Sequence, residues 1–183
     1  MRQVSTAQLK IRASTGDYLQ HGSASGTDCV IAFAFGYRQV GGHIEPGSSN
    51  QQIAGHIIEA YFRLPKIVQH EIADALPPTA RAVYRIEQHR QPGEYLDTRE
   101  VAVQAKDIMD RHGWKKAIII AHPYHLPLAD ATCQKLGIAT VAPSGLSAIG
   151  FDPDSAQDWT RDPAAWTTHE AEAIDRDAAK GWI

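Results

Sequence analysis

Two short, uninterrupted apolar runs limit what this chain can fold into. Cys29-Val-Ile-Ala-Phe-Ala-Phe35 and Ala117-Ile-Ile-Ile-Ala121 carry no polar residue at any position. A strand with one wet face alternates apolar and polar residues; a strand covered on both faces does not. Both runs are far shorter than the roughly 20 residues of a membrane-spanning helix. They predict central strands of a mostly parallel sheet with helices on both faces.

The remaining segments supply the other elements. Residues 4–13 read as a short outer helix, and 14–27, rich in Gly, Ser and Thr, as a loop. Gly36 ends the first strand, and Tyr37 to Gly47 reads as loop. Ser49-Asn-Gln-Gln52 has a capping-box pattern, followed by Ile53, Ala54, Ile57, Ile58, Tyr61 and Phe62 at helical spacing. Strands are predicted over Lys66–Ile72, Ala82–Ile86 and Ile138–Ala142. Asp97 with Glu100 opens a helix that closes at Gly113, and Pro127 sits in the first turn of the next. Asp162-Pro163 starts a final helix over 163–180. The sum is a three-layer α/β fold with about five strands, in one domain over 1–183. Residues 151–183 form an extension packed on that domain through Trp159, Trp166 and Trp182.

Charge narrows the partners. A formal net charge of -3 and a single basic doublet, Lys115-Lys116, give no groove for nucleic acid. The polar start (Arg2, Gln3, Ser5) has no apolar leader core, so a cytoplasmic, unanchored chain is expected. Cys29 and Cys133 read as buried reduced thiols. The oligomeric state has no signature.

In a parallel α/β sheet the carboxyl ends of the strands share one edge, and ligands bind there. Polar residues collect at those ends. Gly36, Tyr37 and Arg38 follow the first strand; Gln69, His70 and Glu71 end the second. His122-Pro-Tyr124-His125 follows the fourth and Ser144 the fifth. His122 and His125 suit proton transfer, with Glu71 as a carboxylate partner. The same pair, completed by Glu71 or His70, has the donor types of a hydrolytic metal site. Ser48, Ser49 and Asn50 offer hydroxyls and free N–H groups at a helix start, which suits an anion. Thr98 either caps its helix or touches ligand. Histidines 43, 56, 89, 112 and 169 read as surface or capping residues, and Glu170 and Glu172 as a solvated helix face.

The stretch 96–143 resembles the SanA/YdcF/ElyC-like family of bacterial Rossmann-like domains of unknown function. The likeness is carried by Asp97-Thr98-Arg99-Glu100, by Ala121-His122-Pro123-Tyr124-His125-Leu126-Pro127 and by Val141-Ala-Pro143. Ala32-Phe-Ala-Phe-Gly36 is similar to the family's first strand and turn. This chain departs from the pattern at Val101 and Leu128, where the family carries Asn and Arg, and at Gln69-His70-Glu71. The resemblance implies a nucleotide-like ligand, with S-adenosylmethionine in one branch. The expected function is a small-molecule enzyme acting on an anionic or nucleotide-like substrate, with His125, His122 and Glu71 moving protons. The alternatives are a non-catalytic nucleotide or S-adenosylmethionine binding domain and a His-ligated metal hydrolase.

Overall fold

The computed structural model describes residues 4–183. Arg2 and Gln3, on which the absence of a leader was read, lie outside the described residues. The elements in chain order are α1 (Thr6–Thr15), β1 (Cys29–Ala32), β2 (Arg38–Val40), β3 (His43–Glu45), α2 (Gly47–Tyr61), β4 (Lys66–Gln69), α3 (His70–Ala75), β5 (Val83–Ile86), α4 (Thr98–His112), β6 (Lys116–Ile120), α5 (Leu126–Lys135), β7 (Ala139–Val141) and α6 (Pro163–Ala179). Five strands form one parallel sheet in the order β5-β4-β1-β6-β7.

The two apolar runs are the sheet's centre. Every residue of β1 and the Ile118–Ile120 stretch of β6 is fully buried. From β1 the chain winds outward through β4 to β5, then returns to β1's other side with β6. Because parallel crossovers are right-handed, this reversal puts α2 and α3 on one face and α4 and α5 on the other. α1 packs on α5 and α6 outside that second layer. Among the described residues no helix is long and apolar enough to cross a membrane.

Four local expectations change. β1 stops at Ala32, because the Ala34 and Phe35 N–H groups turn from the sheet to the side chains of Gln69 and Asn50, at 2.7 and 2.8 Å. The loop expected over 37–47 holds a two-stranded hairpin, β2–β3, turned by Gly41 and Gly42 at φ +56° and +84°. Positive φ at both central residues is what a tight hairpin turn needs. The exposure of both strands hid it from a pattern search. The second strand ends at Gln69, so His70 and Glu71 open α3 instead of closing a strand. α2 begins at Gly47 without a side-chain cap, which places Ser49 and Asn50 inside its first turn.

Candidate functional site

The strand order reverses between β1 and β6, and the crevice beyond their carboxyl ends is the expected ligand position. A cleft lies beside it, with two lobes of about 300 and 260 Å³. The lobes share Ala34 and Gly36 after β1, Gln69 at the end of β4, Tyr95 and Leu96 before α4, and Gln157 from the C-terminal segment. Its floor is built by side-chain amides. Gln69 and Asn50 accept from the Ala34 and Phe35 N–H groups, and Asn50 donates to the Gly36 carbonyl at 2.7 Å.

The first lobe holds His125, the residue before α5, with its ring buried. Nδ1 lies 2.8 Å from Glu170 Oε1 on α6, and Nε2 lies 3.4 Å from the Thr98 hydroxyl at the start of α4. With Nδ1–H donating to the carboxylate, the tautomer is set and the Nε2 lone pair faces Thr98 and the cavity. Glu170 is 1% exposed, and burial pushes its carboxyl above the ordinary value while the His125 ring pulls against that. Trp166 abuts the His125 ring edge-on. Arg176 in the last turn of α6 and Lys180 just after it line the same lobe, as do His169 and Trp159, whose rings stack at 4.8 Å. Burial lowers the His169 imidazole.

The second lobe holds Tyr37, His70 and Glu71. Glu71 Oε1 is 3.3 Å from His70 Nε2, and its Oε2 is buried with no partner among the described residues. Burial raises the Glu71 carboxyl, opposed by the His70 charge.

The remaining candidates lie elsewhere. His122 is fully buried beneath the cleft and does not line it. Its ring lies flat on Phe35 at 3.9 Å, and Tyr124 packs beside it. Tyr124 points toward Gly16, and its carbonyl accepts from Trp166 Nε1. Arg38 is bidentate to Asp152, and the Ser48 N–H donates to the same carboxylate at 2.8 Å. Ser49 donates to the Gly150 carbonyl. The anion suited to the start of α2 is therefore supplied by the chain itself. Ser144 is exposed and borders neither lobe.

Glu170 is the residue whose expected position changes most, from solvated surface to buried partner of His125. A signal was present. Trp166, Glu170, Ala173 and Ile174 share one stripe of α6, and all are buried. The stripe continues to buried Asp177, and each buried carboxylate on it needs a partner. Among the described residues no group of three or more His, Cys, Asp or Glu side chains is placed to hold a metal ion. Both cysteines are buried, and burial pushes the Cys29 thiol to about 12. No protein-family model, curated protein or solved structure matches the chain.

Proposed function

We propose that this chain is a small-molecule enzyme acting on an anionic substrate, nucleotide-like ones included, in the cleft at the carboxyl edge of the sheet. His125 is its general base and Glu170 the positioning residue behind it. The observation that carries this is the file Thr98–His125–Glu170, with a buried carboxylate on one ring nitrogen and the cavity on the other. A neutral imidazole so held takes a proton at Nε2 and gains the carboxylate's field as it becomes charged. Arg176 and Lys180 supply positive charge for the substrate's anionic end. Glu71 serves the second lobe. Its Oε2, which has no partner among the described residues, suits a hydrogen bond with a substrate group that enters this lobe. His122 is left out, because its ring does not reach the cleft.

The reading takes the chain as a divergent member of the SanA/YdcF/ElyC-like family that acts in the cytoplasm. The test is turnover of a panel of phosphate monoesters, carboxylic esters and nucleotides by wild type and His125→Gln. At least one substrate should be consumed, with a loss of about 10²–10⁴ in the variant. Equal rates in the two proteins for every substrate would overturn the assignment.

A second reading has one observation behind it. Exposed Tyr95 and the Trp159 indole border the first lobe and offer ring faces to a base. A non-catalytic nucleotide or S-adenosylmethionine site would raise the melting temperature with ligand concentration and consume nothing. The absence of any shift would remove it. The metal-hydrolase reading has no donor set among the described residues.

A further inference from the structure

We propose that Thr98 is the nucleophile of this site and that the substrate is a carboxylic ester, carrying its negative charge away from the scissile bond. This rests on the general-base role of His125 proposed above and adds a covalent step to it.

The file Thr98 Oγ1, His125 Nε2, His125 Nδ1, Glu170 Oε1 has spacings of 3.4 Å at the hydroxyl end and 2.8 Å at the carboxylate end. Nucleophile, base and orienting acid stand in that order in hydroxyl-based acyl transfer, and the nucleophile's hydrogen bond is often long before substrate binds. The three groups come from the starts of two helices and the middle of a third. Local sequence therefore does not force them together.

Thr98 is also not needed as a cap. Asp97 performs that task, its carboxylate accepting from the Glu100 N–H at 2.8 Å. Among the described residues the Thr98 hydroxyl has His125 as its hydrogen-bond partner. A threonine at this position serving only the helix would have no reason to face an imidazole held by a buried acid.

The chemistry balances without a co-reactant other than water. Thr98 Oγ1 attacks the ester carbonyl carbon while its proton passes to His125 Nε2. The carbonyl π pair moves to oxygen. Collapse of that intermediate breaks the bond to the alkoxide, which takes the proton from Nε2 and leaves as the alcohol. Water, deprotonated by Nε2, then attacks the acyl-Thr98 ester. The carboxylic acid departs and Thr98 recovers its proton. Gly36 and Thr98 line the lobe, and among the described residues neither backbone N–H has a hydrogen-bond acceptor. Such groups suit the single negative charge of an acyl intermediate.

Local charge decides between acyl and phosphoryl transfer. Glu94, Asp97 and Glu170 line the lobe against Arg176 and Lys180, and Arg176 is held by Asp177 at 3.1 Å. A transferring phosphoryl group spreads its charge over three oxygens and needs a surplus of cations around it. The lobe has none. Arg176 and Lys180, at the end of α6, suit a distant carboxylate instead.

The experiment uses the full chain with 4-nitrophenyl hydrogen succinate and, separately, diisopropyl fluorophosphate followed by peptide mass spectrometry. Wild type should release one equivalent of 4-nitrophenolate in a burst. It should also gain the phosphoryl adduct on Thr98, the P–O bond forming as fluoride leaves. Thr98→Ser should keep turnover within tenfold, and Thr98→Val, with an unchanged melting temperature, should lose at least a hundredfold and take no label. Turnover that depends on His125 but survives in Thr98→Val, with no adduct at position 98, would make water the nucleophile. That result overturns this proposal and leaves the general-base reading standing. Turnover indifferent to both residues overturns both.

Discussion

At His122 the ring stacks on Phe35 within 13° of parallel, and Nε2 has no partner among the described residues. Burial, with the His125 charge as the smaller cause, lowers its pKa from 6.5 to about 3. Between those values the unfolded chain binds a proton that the folded chain refuses. Stability therefore falls as pH falls through that window. Glu170 and Glu71 act in the opposite sense, because burial raises their carboxyls above 4.5. Their contribution is present at low pH and is lost as pH rises from the unfolded value through the raised one. His122→Phe keeps the stack and removes the titration. Urea midpoints at pH 4, 5, 6 and 7 should fall less steeply toward acid in this variant than in wild type. Parallel slopes would remove His122 from the account. Glu170 belongs at the same scale, and as a positioning residue it needs a readout that a packing role would not move. With a turned-over substrate, Glu170→Gln should lower kcat about a hundredfold and leave KM within a few-fold, and Glu170→Asp should restore part of kcat. An equal change in KM with kcat unchanged would mean that Glu170 only shapes the pocket.

The turn after β1 shows how elements far apart in sequence meet at one glycine. Gly36 has φ +71°, and a Cβ there would lie 2.4 Å from Thr160 Oγ1 and 2.5 Å from Ser155 Oγ. Left-handed backbone costs a side chain about 1–2 kcal/mol, and overpacking about 1–3 more. Gly36→Ala should therefore destabilise by about 2–5 kcal/mol in a urea titration and loosen the floor of the cleft. A loss under 1 kcal/mol would show that the Ser155–Thr160 turn yields easily. Gly36 was readable as a turn from its place after an apolar run. Its second reason was not, because Ser155 and Thr160 carry no local mark of where they pack. The start of α2 repeats the lesson. Ser48-Ser49-Asn50 was readable as an anion site, but nothing near it in sequence names Asp152 as the anion. Arg38 is the main cause holding the Asp152 carboxyl below 3.8. The stability this gives is fully present above the unfolded value and is lost as pH falls through the depressed one. Asp152→Asn should cost about 2 kcal/mol at pH 7, the order of one charge-assisted hydrogen bond. The deficit should shrink below pH 4, and a deficit constant with pH would point to shape instead of charge.

Across the whole molecule, the sheet is what patterning reveals and the last helix is what it conceals. The run at 117–121 and all of 29–35 except half-buried Ala34 are buried, so patterning alone placed them at the centre. α6 was visible as a helix, but its role depends on which stripe turns inward and what that stripe meets. That stripe brings Glu170 to His125, and Trp166 donates through Nε1 to the Tyr124 carbonyl at 3.2 Å. The helix also lies along α1, where Lys10 and Asp175 are 2.6 Å apart. The segment after Phe151 thus supplies part of the core and half of the His125 dyad, which argues for one cooperative unit and not a body with an appendage. The tryptophans allow a direct check. Trp159, Trp166 and Trp182 lie in this segment and only Trp114 outside it, so fluorescence reports mainly on the tail and far-UV circular dichroism mainly on the sheet and its helices. Two-state unfolding makes such probes coincide. The two urea midpoints should therefore agree, and ending the chain at residue 157 should abolish the shared transition, because it removes Trp166 and Ile174 from their buried positions. A fluorescence change completed at lower urea than the dichroism change would mean that the tail detaches first. The His125–Glu170 contact would then be made and broken while the sheet stays folded.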